Sequence, residues 1–158
     1  MACGSETKIV ASQLSGDFIL PDDRKQKLAF IAGGIGITPF RSMIKYLIDH
    51  KESSPAILFY SNRSARDVVY KDIFDQAEKE LGIKTVYVVT DDKTLPDNWR
   101  GYTGRINETI ITKEIPDYKE RLFYLSGPRS MVVSYQALLL KLGVKRRKIK
   151  TDYFPGLV

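Results

Sequence analysis

The sequence predicts an α/β fold: a three-layer α/β/α arrangement around a five-stranded parallel sheet, preceded by a short β appendage. Two observations carry this expectation. Short apolar runs alternate with segments of helical periodicity along most of the chain, the order that a parallel sheet with helical crossovers requires. The runs are also continuously apolar, as in Leu28–Ala32 and Ala56–Tyr60, which marks strands covered on both faces. With 158 residues, 43% of them hydrophobic, the chain can bury a sizeable core and is too apolar to be disordered.

The elements follow in order. Lys8–Leu14 and Asp17–Leu20 read as short strands joined at Ser15-Gly16 and closed by Pro21-Asp22-Asp23; with no helix after them, they form the appendage. Leu28–Ala32 is the first strand of the sheet. It breaks into Gly33, Gly34 and Gly36, which permit positive φ and leave room where a Cβ would block a ligand. Thr38 is placed to cap the next helix, Pro39–His50, and Pro39 suits its first position because the missing donor costs nothing there. Ala56–Tyr60, Thr85–Thr90, Leu122–Ser126 and Ile149–Phe154 complete the sheet, and Val68–Leu81, Asn107–Thr112 and Pro128–Leu142 complete the helices. Gly82 and Gly143 fall just past two helices, where a left-handed cap is expected. Asp91–Tyr102 is polar, holds Pro96 and Gly101, and reads as a long surface loop.

Composition removes several function classes. No apolar run approaches the ~20 residues that span a membrane, and the N-terminus lacks a signal-peptide core. Cys3 is the only cysteine and His50 the only histidine, so an internal disulfide is excluded, no metal site is expected, and a cytoplasmic setting is the default. There is no Ser/His/Asp or Cys/His arrangement and no carboxylate pair spaced for acid/base work, which disfavours hydrolysis. The net charge is +6, and Lys141, Lys145, Arg146, Arg147, Lys148 and Lys150 fall in one ten-residue stretch without an acid. That stretch is either a solvated surface or a field drawing an anionic cofactor or acidic protein. Nucleic acid is disfavoured, because no aromatic-studded basic sheet or recognition helix accompanies the charge.

In an open parallel sheet ligands bind at the carboxyl ends of the strands, and several polar segments fall there. The glycine turn places free amides and a helix dipole where a phosphate would sit, with the Thr38 hydroxyl either a cap or a ligand contact. Ser61-Asn62-Arg63 follows the second strand, with Arg66, Tyr70 and Lys71 close behind. No acid stands there to accept ribose hydroxyls, and an arginine fork matches phosphate oxygens, which favours a 2′-phosphate and so NADPH over NADH. Ser126-Gly127-Pro128 with Met131 ends the fourth strand, where glycine again permits close approach and Pro128 opens a helix. Gly104-Arg105-Ile106 reads as a surface turn, with Arg105 a candidate cofactor contact. Tyr153 and Phe154 either close the core or present a ring to a planar cofactor.

Gly33-Gly-Ile-Gly-Ile-Thr-Pro39, Gly104-Arg-Ile106 and Ser126-Gly-Pro-x-x-Met131, in that order and spacing, resemble the NAD(P)H-binding half of the ferredoxin–NADP⁺ reductase superfamily. Gly16-Asp-Phe-Ile-Leu-Pro21 resembles the last stretch of the flavin-binding barrel that precedes that half. The resemblance covers residues 8–158 and implies a sheet of the ferredoxin-reductase C-terminal domain type, with residues 1–24 the end of a barrel and 25–158 the NAD(P)H-binding domain. It further implies hydride transfer from NADPH or NADH to FAD or FMN on a separate domain, and onward passage of electrons to an iron–sulfur protein, flavodoxin or haem. Gly33, Gly34, Gly36, Thr38 and Pro39 would line the pyrophosphate and nicotinamide; Ser61, Arg63, Tyr70 and Lys71 would meet the adenosine; Gly127, Pro128 and Met131 would flank the nicotinamide, with Phe154 near the flavin. Thr38 and Ser126 would position the reacting ring, Ser126 standing where the family often has cysteine. The family's Arg-x-Tyr-Ser/Thr flavin signature is missing from this sequence, so the implied partner is a flavin-binding domain in a longer parent chain or another subunit, the parent in either the cytoplasm or at the cytoplasmic face of a membrane. An apolar face left by a missing barrel would favour self-association. A sensing or docking module that binds NAD(P)H without turnover is the alternative.

Overall fold

The structure, a computed structural model, describes residues 16–91, 93 and 95–154. Its strands are β1 (Leu28–Gly33), β2 (Ala56–Asn62), β3 (Lys84–Val89), β4 (Tyr102–Thr103), β5 (Leu122–Pro128) and β6 (Ile149–Phe154). Its helices are α1 (Ile37–His50), α2 (Lys71–Leu81), α3 (Glu108–Glu114) and α4 (Arg129–Lys141). The strands form one parallel sheet in the order β4-β3-β2-β1-β5-β6, six strands where five were expected. The addition is β4, two residues that pair Tyr102 with Val88 and Thr103 with Val89. So short a strand carries no hydrophobic period, and its position is set by the open edge of β3.

β1 lies at the centre, with Leu28 paired to both Ala56 and Leu122, and all six of its residues are buried. The strand period divides the core. Phe30, Leu58, Tyr60 and Tyr124 face one side and pack with Phe40, Ile44 and Leu47 of α1 and Phe74 of α2. Ile31, Phe59, Val88 and Leu125 face the other side, with Ile111 of α3 and Leu139 of α4. Each such side chain contributes roughly 1.5–3 kcal/mol by leaving water, so the continuous apolar runs are what hold three layers together. Gly82 and Gly143 take the left-handed cap, φ 69° and 86°, as expected. The Ile83 amide then bonds the Ala77 carbonyl at 3.3 Å, and the Val144 amide bonds that of Leu139 at 3.0 Å.

All four helix starts differ from expectation, α3 by one residue because Asn107 is its cap rather than its first residue. α1 begins at Ile37 behind Gly36, so Thr38 is not the cap and Pro39 is not the first residue. The Thr38 hydroxyl instead donates to the Ile35 carbonyl at 2.7 Å, and Pro39 stays harmless within the first turn. α2 begins at Lys71 rather than Val68, because Ser64 and Asp67 close a 3-10 turn on themselves and Tyr70 then reverses the chain at φ 57°. Pro128 remains in β5, and α4 starts after it.

The lead-in forms no strand: Asp17–Leu20 is irregular, and Lys8–Leu14 lies outside the described residues. Side chains fasten it. Phe18 meets Phe40 and Tyr124 at ring separations of 5.7 and 5.2 Å, the Tyr124 hydroxyl donates to the Ile19 carbonyl at 2.6 Å, and Lys150 donates to the Asp17 carbonyl at 2.6 Å. Burial, with the Asp17 carboxylate adding to it, pushes the Tyr124 hydroxyl up to about 12. At the amino ends of the strands, Arg121 donates to the carbonyls of Leu28 and Pro55 while Asp117 grips it at 2.8 Å. No helix among the described residues is long and apolar enough to cross a membrane.

Candidate functional site

From β1 the chain builds outward through β2, β3 and β4, then crosses back to lay β5 and β6 on the other side. Strand order therefore reverses between β1 and β5, where α1 and α4 leave toward opposite faces and a crevice must open at the carboxyl ends. A crevice of about 730 Å³ lies there. Its walls come from the end of β1 and the turn after it (Gly33, Gly34, Ile35), the end of β2 and the segment after it (Tyr60 to Arg63, then Asp67 and Val69), Thr90, Arg105, the end of β5 (Pro128) and the start of α4 (Ser130, Met131, Ser134, Tyr135).

The glycines divide their work. A Cβ on Gly36 would strike the Ser126 carbonyl and come within 2.6 Å of the Gly127 Cα; one on Gly33 would strike Met131 and approach Pro128 at 3.3 Å. These two glycines, with Gly127 at φ 152°, let the loops after β1 and β5 interlock. Gly34 differs: it sits at φ 52°, and a Cβ there would meet nothing within 4 Å. Like Gly33 it lines the crevice, and it opens the 3-10 turn Gly34–Gly36 that leads into α1, whose unsatisfied amides and dipole favour an anion.

The far wall holds cations, an acid and neutral donors. Arg63 and Arg105 are exposed at the crevice. Asp67 lines it too, accepting from the Ser64 amide at 3.1 Å, so an acid does stand near the end of β2, a few residues beyond the Ser61-Asn62-Arg63 segment that has none. Burial raises the pKa of Tyr135, opposed by hydrogen bonds with the Ile106 backbone and Ser61 and by the Arg105 charge. Burial likewise raises that of Tyr60, so both phenols stay neutral donors. Among the buried polar atoms of the described residues that have no hydrogen-bond partner are Asn62 Nδ2 at the crevice wall and Ser126 Oγ beneath the interlocked loops. A crevice of this size with convergent polar groups suits a dinucleotide.

Of the residues singled out in the sequence, Gly33, Gly34, Ser61, Arg63, Pro128 and Met131 come together at the crevice. Met131 packs its sulfur over Gly33 and also against the core on the α3–α4 side of the sheet. Gly36, Ser126 and Gly127 lie directly behind, as the packed base of the two loops. Thr38 is exposed on the first turn of α1 beside Pro39, and Phe154 stands 41% exposed at the end of β6, paired with Pro128. Tyr70 turns toward α1, with the Arg41 guanidinium 5.6 Å from its ring. Lys71 pairs with Asp75 at 2.6 Å and borders a second cleft, between α2 and the β3 edge, rather than the crevice. Val69, Thr90, Ser130, Ser134 and Tyr135 were not read from the sequence. Only Ser130, Ser134 and Tyr135 left a signal, three polar groups at helical spacing just after the Gly-Pro turn.

Residues 30–137 match the family model for the oxidoreductase NAD-binding domain. The chain is 33% identical over 153 residues to a subunit of the Na(+)-translocating NADH-quinone reductase of Yersinia pestis (strain Pestoides F), a match that covers 94% of this chain and 37% of that protein. The corresponding protein of Serratia proteamaculans (strain 568) is also 33% identical, with the same coverage. The chain thus spans little more than a third of the length of these relatives. Among solved structures, the ferredoxin reductase in carbazole 1,9a-dioxygenase is 31% identical with a TM-score of 0.69, over 86% of this chain and 39% of that one. The Amycolatopsis cytochrome P450 reductase GcoB, 23% identical with a TM-score of 0.74 over 89% of this chain and 42% of its own, shares the fold. With the crevice at the reversal of strand order and the family match spanning it, this chain belongs to the oxidoreductase NAD-binding domains.

Proposed function

We propose that this chain is the nucleotide-binding unit of a flavin-dependent reductase, holding NADH so that its nicotinamide faces a flavin carried on a separate domain. The observation that supports it most is Gly34, left-handed and open, at the head of α1 while its neighbouring glycines are filled by the opposite loop. In this reading the pyrophosphate lies over Gly34 and the first amides of α1. Ser61, Arg63 and Asp67 take the adenosine ribose, while Gly127, Pro128, Met131 and Thr38 bound the nicotinamide, and Ser126 positions the ring. Bound there, the cofactor supplies a hydride; this chain's own residues orient it and keep water from one face. Asp67 favours NADH over NADPH, since a carboxylate accepts from ribose hydroxyls and repels a 2′-phosphate, and the relatives' name specifies NADH. In this reading a flavin domain approaches from the side of Phe154 and of the lead-in that Phe18 packs down. The chain's share of its relatives' length leaves room for such a domain. The parent works in the cytoplasm or at the cytoplasmic face of a membrane, passing electrons to a further redox acceptor.

Calorimetric titration of the chain with NADH and NADPH tests the reading. NADH should bind more tightly, and Gly34→Ala should weaken it about tenfold or more while leaving the fold intact. Absence of binding by either nucleotide would sink the proposal. Arg63→Ala should weaken both nucleotides alike if the guanidinium serves the shared part of the cofactor, whereas loss confined to NADPH would restore the 2′-phosphate assignment.

A further inference from the structure

The acid-free basic stretch does not serve the nucleotide. Arg146–Lys148 leads directly into the first residue of β6, so the stretch lies at the amino end of the strands. The crevice lies at the carboxyl end, a strand of six residues away, or about 20 Å. A redox partner docked at this patch would face away from the nicotinamide, too far to draw electrons from it. Lys148 is spent on the fold, donating to the carbonyls of Lys119 and Glu120 at 3.0 Å each, and Lys150 reaches Asp17. Lys141, Lys145, Arg146 and Arg147 are exposed. The acids just before β5, Asp117 and Glu120, are already paired with Lys27 and Arg121, and at the amino ends of β2 and β3 Glu52 pairs with Arg24 and Glu114 with Lys84.

Beside these cations, at the end of α4, Leu140 is 43% exposed; Val133, 55% exposed, lies on the same side of the helix about two turns back toward its start. None of these six residues lines the nucleotide crevice or the second cleft. Diffuse positive charge bordering exposed aliphatics, with no walls to read a shape, fits a fluid anionic surface better than a protein, which needs a complementary packed core. We infer that the amino end of the sheet, with the outer face of α4, is a docking surface for anionic lipid headgroups, holding the crevice turned toward solvent.

Co-sedimentation of the full chain with vesicles tests this, using pure phosphatidylcholine and phosphatidylcholine mixed with phosphatidylglycerol. The chain should partition onto the mixed vesicles only, and binding should fall with salt. Each cation removed should lower partitioning roughly fivefold, so Lys145→Glu with Arg146→Glu should all but abolish it. Leu140→Ser should weaken it several-fold at constant charge. Lys79→Glu with Lys93→Glu, the same change in net charge elsewhere, should alter it less than about twofold. Urea titration and NADH titration of each variant show whether fold and nucleotide site are intact. Equal binding to both vesicle types, binding to neither, or an equal loss in the control pair would overturn the inference. Retention on a polyglutamate matrix without vesicle binding would overturn it too, and assign the patch to an acidic protein.

Discussion

Gly34 and Gly36 stand two positions apart and answer to different demands, which substitution should separate. Alanine at Gly36 forces its Cβ into the backbone of Ser126 and Gly127, which cannot yield without opening the joint between the loops. Urea denaturation should show a loss of about 2–4 kcal/mol for Gly36→Ala. Gly34→Ala meets no neighbour and should lose only about 1–2 kcal/mol, the cost of a left-handed backbone. Ser126 runs the other way. Its hydroxyl is fully buried and unpartnered, so Ser126→Ala should leave stability unchanged or raise it by about 1 kcal/mol. If Ser126 positions the nicotinamide, the same variant should weaken NADH binding, and a clear destabilisation would instead mean the hydroxyl supports the fold. That the loops are glycine-rich was legible in the sequence. Which glycine serves packing and which serves a ligand was not, because that depends on how closely β1 and β5 bring together two loops that lie far apart in sequence.

Strands and helices with a strong period were legible to within a few residues, and their caps at Gly82 and Gly143 were legible outright. What escaped depends on partners distant in sequence. β4 exists because β3 offers an open edge, and α2 starts late because Ser64 and Asp67 satisfy each other first. The ties at the amino ends of β1, β2 and β5 are of the same kind. Arg121 joins them, and its guanidinium, with Lys27, holds the Asp117 carboxyl down to about 2 from an ordinary 3.8. A carboxyl depressed in the folded state stabilises the fold above its unfolded pKa and loses that contribution as pH falls toward the folded one. Between pH 4 and 2 the protein should therefore lose about 1–2 kcal/mol through this group, once its partial exposure is allowed for. Asp117→Asn should be less stable at neutral pH and should show a shallower acid limb in denaturation measured across that range.

For the molecule as a whole, the fold class and the location of the crevice follow from the strand–helix alternation and the order in which strands were laid down. The opposition of its two ends does not. A basic stretch whose charge suits an anionic cofactor lies instead at the amino end of the sheet, because β6 runs parallel to β1. The central position of β1 carries a further consequence. Its amides are covered by β2 and β5 and by both helical layers, so they should exchange with deuterium only when the whole domain opens. Those of β4, a two-residue strand at the edge, should exchange through local fraying many times faster. Site-resolved exchange should thus show protection falling outward from β1 toward β4. The glycine turn is rooted in the most protected strand, whereas Thr90 and Arg105 are borne on the side that opens most readily. A dinucleotide laid along the crevice would find one half of its site already rigid and would have to quiet the other, so added protection on binding should concentrate at the β3–β4 side and scarcely touch β1.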